Sequence, residues 1–224
     1  MVISNIKIIF LILLLNILFS DNDRNKSGVF SISRIQYGGG GDWYADKSSI
    51  PNLLKFISEN TDIITADNQQ VVKIGDNNFF SSNYLYMTGH GNIKLTDEEI
   101  ILLREHLIGG AFLHADDNYG MDKSFRELLS KMFPEKELIE IPPSHELFNI
   151  YFEFPNGLPK IHEHDNKRAQ ALGIFHNEKL IILYTYESDL GDGWEDSKVH
   201  NNPEDLRQKA LKMGTNIVTY SLVQ

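Results

Sequence analysis

The sequence predicts an α/β fold, a mostly parallel central sheet with helices on both faces, and three observations lead there. Two apolar runs of strand length, Tyr84–Thr88 and Ala111–Ala115, flank a segment with helical apolar spacing. Strand-like and helix-like segments alternate along the chain with short connections, which places helices against a sheet. Both apolar runs also stop abruptly in polar clusters, Thr88-Gly89-His90-Gly91 and Asp116-Asp117. In open α/β sheets ligands sit outside the carboxyl ends of the strands, so the same pattern says where a site belongs.

Each element has its own justification. Residues 1–20 read as an export signal, with Lys7 the sole charge before Asp21 and an aliphatic run from Ile8 to Phe19. That run falls short of the ~20 residues a bilayer span needs. Leu18 suits cleavage after Ser20 poorly, so an uncleaved N-terminal anchor is the alternative. Residues 21–27 form a polar linker, and 28–224 a single domain large enough for a substantial core. Val29–Tyr37 is the first strand, followed by the Gly38–Gly41 run and Asp42-Trp43-Tyr44. Pro51 opens a helix with Leu53, Leu54 and Ile57 on one stripe. Val71–Ile74 and Tyr84–Thr88 are strands, and Thr96-Asp97-Glu98-Glu99 is a capping box that starts the next helix, closed by Gly109-Gly110. A helix over Asp122–Met132 carries Phe125, Leu128, Leu129 and Met132 inward and stops before Pro134. Leu138–Ile141 is a strand, and Ala171–Phe175 with Leu180–Tyr186 make a hairpin, one arm of which must run against the sheet. A last helix from Pro203 to Gly214 and a final strand over Asn216–Leu222 complete the prediction.

Composition narrows the functions. The chain of 224 residues has no cysteine, which excludes disulfides, thiolate metal sites and a Cys nucleophile. Its formal charge of −10 argues against non-specific nucleic-acid binding, which rests on Lys and Arg contacts to phosphate.

The motifs occur in one order: Gly40-Gly41-Asp42-Trp43-Tyr44, Tyr84 to Gly91, Gly110 to Asp117, Pro143-Ser144-His145-Glu146-Leu147-Phe148, Asp189 to Glu195, and Gly214 to Tyr220. In them the chain resembles the domain of unknown function 4159 family over residues 28 to 224. The resemblance implies a class I glutamine amidotransferase-like, flavodoxin-like three-layer sandwich, commonly bacterial and exported or membrane-attached, with no established activity. Amidotransferases of that fold carry a Cys on a strand-to-helix elbow, activated by a His. Here the turn after Ala111–Ala115 holds Asp116-Asp117 instead, so glutamine hydrolysis through a thioester is excluded.

The candidate chemistry follows from residue type and position. His90, Asp116 and Asp117 are the candidate acid, base or catalytic groups, being ionisable and placed where strands end. Against this, Asp117 can cap its turn while Asp116 accepts backbone N–H bonds. Gly89 and Gly91 let backbone amides approach an anion, and Asp42, Trp43, Tyr44 and His145 would line the pocket with them. His145 can equally cap a short helix. No cofactor is required, but His90, Asp117 and His145 together form a two-His, one-carboxylate set that suits a divalent metal. Arg34 inside the first strand implies an internal ion pair, with an anion contact as the alternative. The acidic loop around Glu187, Asp189, Asp192, Trp194 and Glu195 reads first as a solvated loop, otherwise as a lid or a Ca²⁺-holding loop without the spacing of a known calcium loop. His114 and His162-Glu163-His164 match no site pattern and stay outside the set.

Three functions are therefore expected in competition. The first is an exported domain, periplasmic or membrane-attached facing the periplasm, that binds a small polar ligand. The second is a metal-assisted hydrolase, and the third a protein-interaction module of an envelope complex that uses the acidic face or the Trp194 loop as its contact. Only the N-terminal segment is expected to meet the membrane, during export.

Overall fold

The structure is a computed structural model that describes residues 28–224; the expected signal and linker lie outside the described residues. Seven strands form one sheet: β1 (Ser33–Ile35), β2 (Gln70–Val72), β3 (Tyr84–Gly89), β4 (Phe112–Asp117), β5 (Ile139–Glu140), β6 (Gln170–His176) and β7 (Lys179–Tyr186). Their order is β2-β1-β3-β4-β7-β6-β5. Strands β2, β1, β3, β4 and β7 are mutually parallel, while β6 runs against both β7 and β5. The sheet is thus mixed and mostly parallel, with the hairpin arm β6 as the dissenting strand. Asn177 and Glu178 both take positive φ in that hairpin, the backbone a two-residue turn needs to match the strand twist.

Helices α1 (Ser49–Asn60), α2 (Asn77–Phe80), α3 (Asp97–Ile108), α4 (Asp122–Met132), α5 (Leu190–Trp194), α6 (Ser197–His200) and α7 (Glu204–Val223) accompany the sheet, with a 3-10 turn at Glu146–Phe148. Strand residues alternate between two cores because successive side chains point to opposite faces. Leu85, Met87, Leu113, Ala115 and Ile182 pack with Leu103 and Leu107 of α3 and Phe125 and Leu129 of α4. Tyr84, Tyr86, Phe112 and Leu183 pack with Leu53 and Ile57 of α1 and Ile217 and Val218 of α7. The α3 capping box forms as predicted: Glu99 donates its backbone N–H to the Thr96 hydroxyl at 3.2 Å, and Thr96 donates its own to the Glu99 carboxylate at 2.7 Å. Among the described residues no helix is long and apolar enough to cross a membrane.

Two predicted elements differ. The first strand keeps only Ser33–Ile35, with Phe30 joining through an isolated bridge to Thr65. The final strand over Asn216–Leu222 does not exist, because α7 continues through Gly214 to Val223. Gly214 is present for proximity: a Cβ there would lie 2.6 Å from Leu53 Cδ1 and 2.9 Å from the Trp194 ring. Asn216 then points sideways, accepting the Phe152 N–H at 2.8 Å and donating to its carbonyl at 2.7 Å. A glycine that allows close packing looks the same in sequence as one that ends a helix.

His114 projects from β4 into the second core and is fully buried, with Tyr84 Oη 3.3 Å from Nδ1 and Thr185 Oγ1 3.0 Å from Nε2. Burial lowers its pKa from 6.5 to about 3, so the folded state holds it neutral.

Two outcomes follow from this packing. Gly214→Ala gains about 1 kcal/mol of helix propensity yet forces the Leu53–Trp194 contact apart at about 1–3 kcal/mol, and we expect a lower Tm by calorimetry. For His114, the unfolded chain takes up a proton below pH 6.5 and the folded chain does not, so stability falls on acidification. Relative to His114→Gln, the wild type should lose about 1.4 kcal/mol per pH unit between pH 6 and 4 and nothing above pH 7.5 in urea unfolding.

Candidate functional site

The carboxyl ends of β1, β3, β4 and β7 share one rim, and the loops leaving them build two adjoining polar groups. The first lies where the chain leaves β1 and β3. Gly41 donates its N–H to Asn92 O at 3.0 Å and Asp42 its N–H to His90 O at 3.2 Å, which ties the two loops together. Gly89 permits this, since a Cβ there would meet the Tyr37 hydroxyl at 2.5 Å and the Asp42 backbone at 3.0 Å. The Asp42 carboxylate accepts the His90 backbone N–H and lies 3.1 Å from His90 Nδ1, with both side chains partly open to solvent. Trp43 packs partly into the first core, and Tyr44 stands exposed edge-on to it at 5.5 Å between centroids. Asp42 thus contacts Gly89 and His90 directly, with Trp43, Tyr44 and Gly91 as their chain neighbours. A groove of about 390 Å³ beside them, lined by Gly39, Asn92, Lys94, Ser124, Glu127 and Lys131, opens on the α3–α4 side of the sheet.

Asp116 and Asp117 reach the same rim but are occupied structurally. Asp116 is fully buried; it accepts N–H bonds from Gly191 at 2.7 Å and Leu190 at 3.4 Å, the Tyr86 hydroxyl at 3.2 Å and the Thr185 hydroxyl. Burial pushes its pKa up to about 7, against the pull of those donors. Asp117 accepts from Tyr119 N at 3.1 Å, Met121 N at 3.3 Å and the Tyr184 hydroxyl at 3.2 Å, closing the turn into α4. Burial raises it as well, to about 6.

His145 does not join them. Its Nδ1 accepts the Leu147 N–H at 3.2 Å, capping the 3-10 turn, and its ring packs against Phe175 and Tyr220. Phe175 pairs with Leu180 at the start of β7, whereas Asp116 pairs with Thr185 near its end. Five residues of strand, about 16 Å, separate the two levels. The set His90, Asp117 and His145 is consequently not assembled.

Sequence reasoning missed the densest ionisable group on the rim. The acidic segment after β7, expected as a solvated loop, is buried and ends in α5. Trp194 is 1 % exposed and donates Nε1–H to Ala210 O at 2.8 Å. Asp189 and Asp192 thereby enter the second group at the rim. Opposite them the 159–168 segment delivers His162 and His164: His164 Nε2 contacts Asp189 Oδ2, and His162 Nδ1 lies 3.0 Å from Asp192 Oδ2 and 3.9 Å from Asp189 Oδ2. His200, at the end of α6, lies 3.3 Å from Asp192 Oδ1. Asp46 completes the group from the β1 loop, where Asn118 donates to its carboxylate. No helical spacing or paired motif marks these residues; only a hint in His162-Glu163-His164 preceding an acidic segment could have linked them.

Arg34 fixes Asp46 without an ion pair to its carboxylate. Its guanidinium, 1 % exposed, donates to the carbonyls of Trp43, Ala45 and Asp46, to Gln69 Oε1 and to Ser49 Oγ. Glu195 binds the α1 N-terminus, accepting Ser48 N–H at 2.8 Å and Ser49 N–H at 3.2 Å.

Two sets of ligand-type atoms lie within 4.8 Å of one another: His162, His164 and Asp189, and Asp46, Asp192 and His200. The carboxylates Asp189 and Asp192 are buried and the imidazoles are more open. Asp189 Oδ1 is buried with no hydrogen-bond partner. Burial first, then the charges of Asp116, Asp192, Asp117 and Asp46, pushes its pKa up to about 9. Burial similarly raises Asp46 to about 6 and lowers His164. Such a set can take up a cation, exchange protons with water, or do both.

The Asp116 hydrogen bonds give a direct test of what positions this group. Asp116→Ala leaves two N–H groups and the Tyr86 hydroxyl without this acceptor, while the Thr185 hydroxyl keeps Ala115 O at 3.2 Å, and we expect a loss of about 3 kcal/mol in urea unfolding. Asp116→Asn keeps an acceptor oxygen without the buried charge and should cost less than half as much at pH 8.

No curated protein matches the chain. A family model described as "Domain of unknown function (DUF4159)" matches residues 31–222. That span contains every strand of the sheet and the whole rim from Asp42 to His200, and the chain belongs to this family.

Proposed function

We propose that this chain is an exported α/β domain that binds a polar ligand through a divalent cation held by His162, His164 and Asp189. One observation carries the reading: Asp189 is a 1 % exposed carboxylate with one oxygen against two imidazoles and the other without any partner. A buried carboxylate left half-satisfied is costly unless a proton or a cation completes it, and the two imidazoles beside it suit a cation. Two imidazoles and one carboxylate are donors that zinc and other first-row cations favour, and they leave positions for water or ligand. The open His90–Asp42 pair on the same rim supplies a further polar contact for that ligand. A cation-bound water would also be acidified there, which makes hydrolysis the natural reaction for this site and the second reading.

The architecture proposed is the class I glutamine amidotransferase-like, flavodoxin-like sandwich without its nucleophile. The strand order β2-β1-β3-β4-β7 agrees with the flavodoxin-like order, and the two cores on alternate strand faces agree with three layers. Export, as proposed, rests on residues 1–20 alone. Envelope-protein contact through Trp194 loses its support, since that side chain is enclosed.

The experiment is metal analysis of chelator-free protein, with Zn²⁺ and Mn²⁺ added to the apo form. We expect at least one equivalent per chain and a rise in Tm; at 100-fold excess over Kd the stabilisation is about 2.7 kcal/mol. Asp189→Asn should weaken affinity at least tenfold. Sub-stoichiometric metal together with an unmoved Tm for both cations would end this reading.

A further inference from the structure

We propose that the rim holds a second divalent cation, at Asp46, Asp192 and His200, with Asp192 bridging it to the first; this rests on the cation site proposed above. The two candidate sets are joined by a single side chain. Asp192 Oδ2 lies 3.0 Å from His162 Nδ1 in the first set, while Asp192 Oδ1 lies 3.3 Å from His200 Nε2 in the second. A carboxylate that turns one oxygen to each of two ligand groups has the geometry of a bridge, and paired cations in such sites sit about 3.5–4 Å apart. The imidazoles adjoin as well: His162 is 5.2 Å from His164 and 6.0 Å from His200 between ring centroids, so it neighbours an imidazole of each set.

Charge gives an independent reason for two cations rather than one. Asp46, Asp116, Asp189 and Asp192 crowd together, and among the described residues no Lys or Arg nitrogen forms a salt bridge with any of them. Arg34, the nearest guanidinium on the β1 side, is saturated by carbonyls, Gln69 and Ser49. One divalent ion at Asp189 leaves Asp46 and Asp192 close together, with His200 beside Asp192 as an imidazole outside the first set. Asp189, whose Oδ1 has no hydrogen-bond partner, belongs to the first set, and His162 of that set contacts Asp192 of the second. Access is open, because His162 and His200 are 44 % and 27 % exposed at the side chain.

Apo full-length protein titrated with Zn²⁺ and with Mn²⁺ tests this by counting. We expect two equivalents of each, and electron paramagnetic resonance of the Mn²⁺ form should show the six-line signal replaced by an exchange-coupled spectrum at the second equivalent. His200→Ala should bind one equivalent and give an uncoupled six-line spectrum; should that variant not fold, Asp46→Asn takes its place, and the wild-type count needs no variant. One equivalent in the wild type overturns the second site and leaves the first standing. Zero equivalents of both metals overturns both. Two equivalents without coupling overturns the bridge.

Discussion

The rim is governed by the burial of carboxylates that the protein's own cations do not neutralise. Asp116, Asp189 and Asp192 are nearly solvent-free, Asp46 adjoins them, and no Lys or Arg side chain among the described residues pairs with these four. Desolvation raises Asp46, Asp116 and Asp189. Such a concentration of charge is tolerated where donors, protons or bound cations answer it.

Donors answer part of it, and in doing so they set the geometry. Asp116 holds the start of α5 by two amides, which fixes Asp189 just before that helix and Asp192 inside it. Arg34 holds the loop of Asp46 through three carbonyls, and Glu195 ties the end of α5 to the start of α1. Asp189 and Asp46 both take left-handed backbone angles, with φ of 57° and 53°, which non-glycine residues adopt at a cost. The supporting residues are thus the ones most conspicuous in the sequence, Asp116 and Arg34. The residues with free valence are the inconspicuous ones.

Sequence patterns conveyed some of this faithfully. The capping box at Thr96, the helix from Asp122 to Met132, the β6–β7 hairpin and the strand-end placement of His90 and Asp116 rest on local rules, and each is present. The loop from Asp42 to Tyr44 also meets His90, since both follow strands that pair directly. Local rules failed at Gly214, where a neighbouring helix rather than the backbone explains the glycine. They failed again at Trp194, whose acidic surroundings suggested solvent while its indole fills the second core. His145 misled for a related reason: a rigid Pro-Pro-Ser-His segment says that the ring is held, not at which end of the sheet.

By itself the sequence determined the class of fold, most of its helices and strands, the absence of a thiol nucleophile and the rim on which polar loops gather. Those features depend on periodicity, capping and composition, which act over a few residues. The tertiary structure alone decided that His162, His164 and His200 meet Asp46, Asp189 and Asp192. Their separation along the chain reaches 154 positions, from Asp46 to His200. Only the parallel stacking of β1, β3, β4 and β7, which brings all their carboxyl ends to one edge, closes that distance.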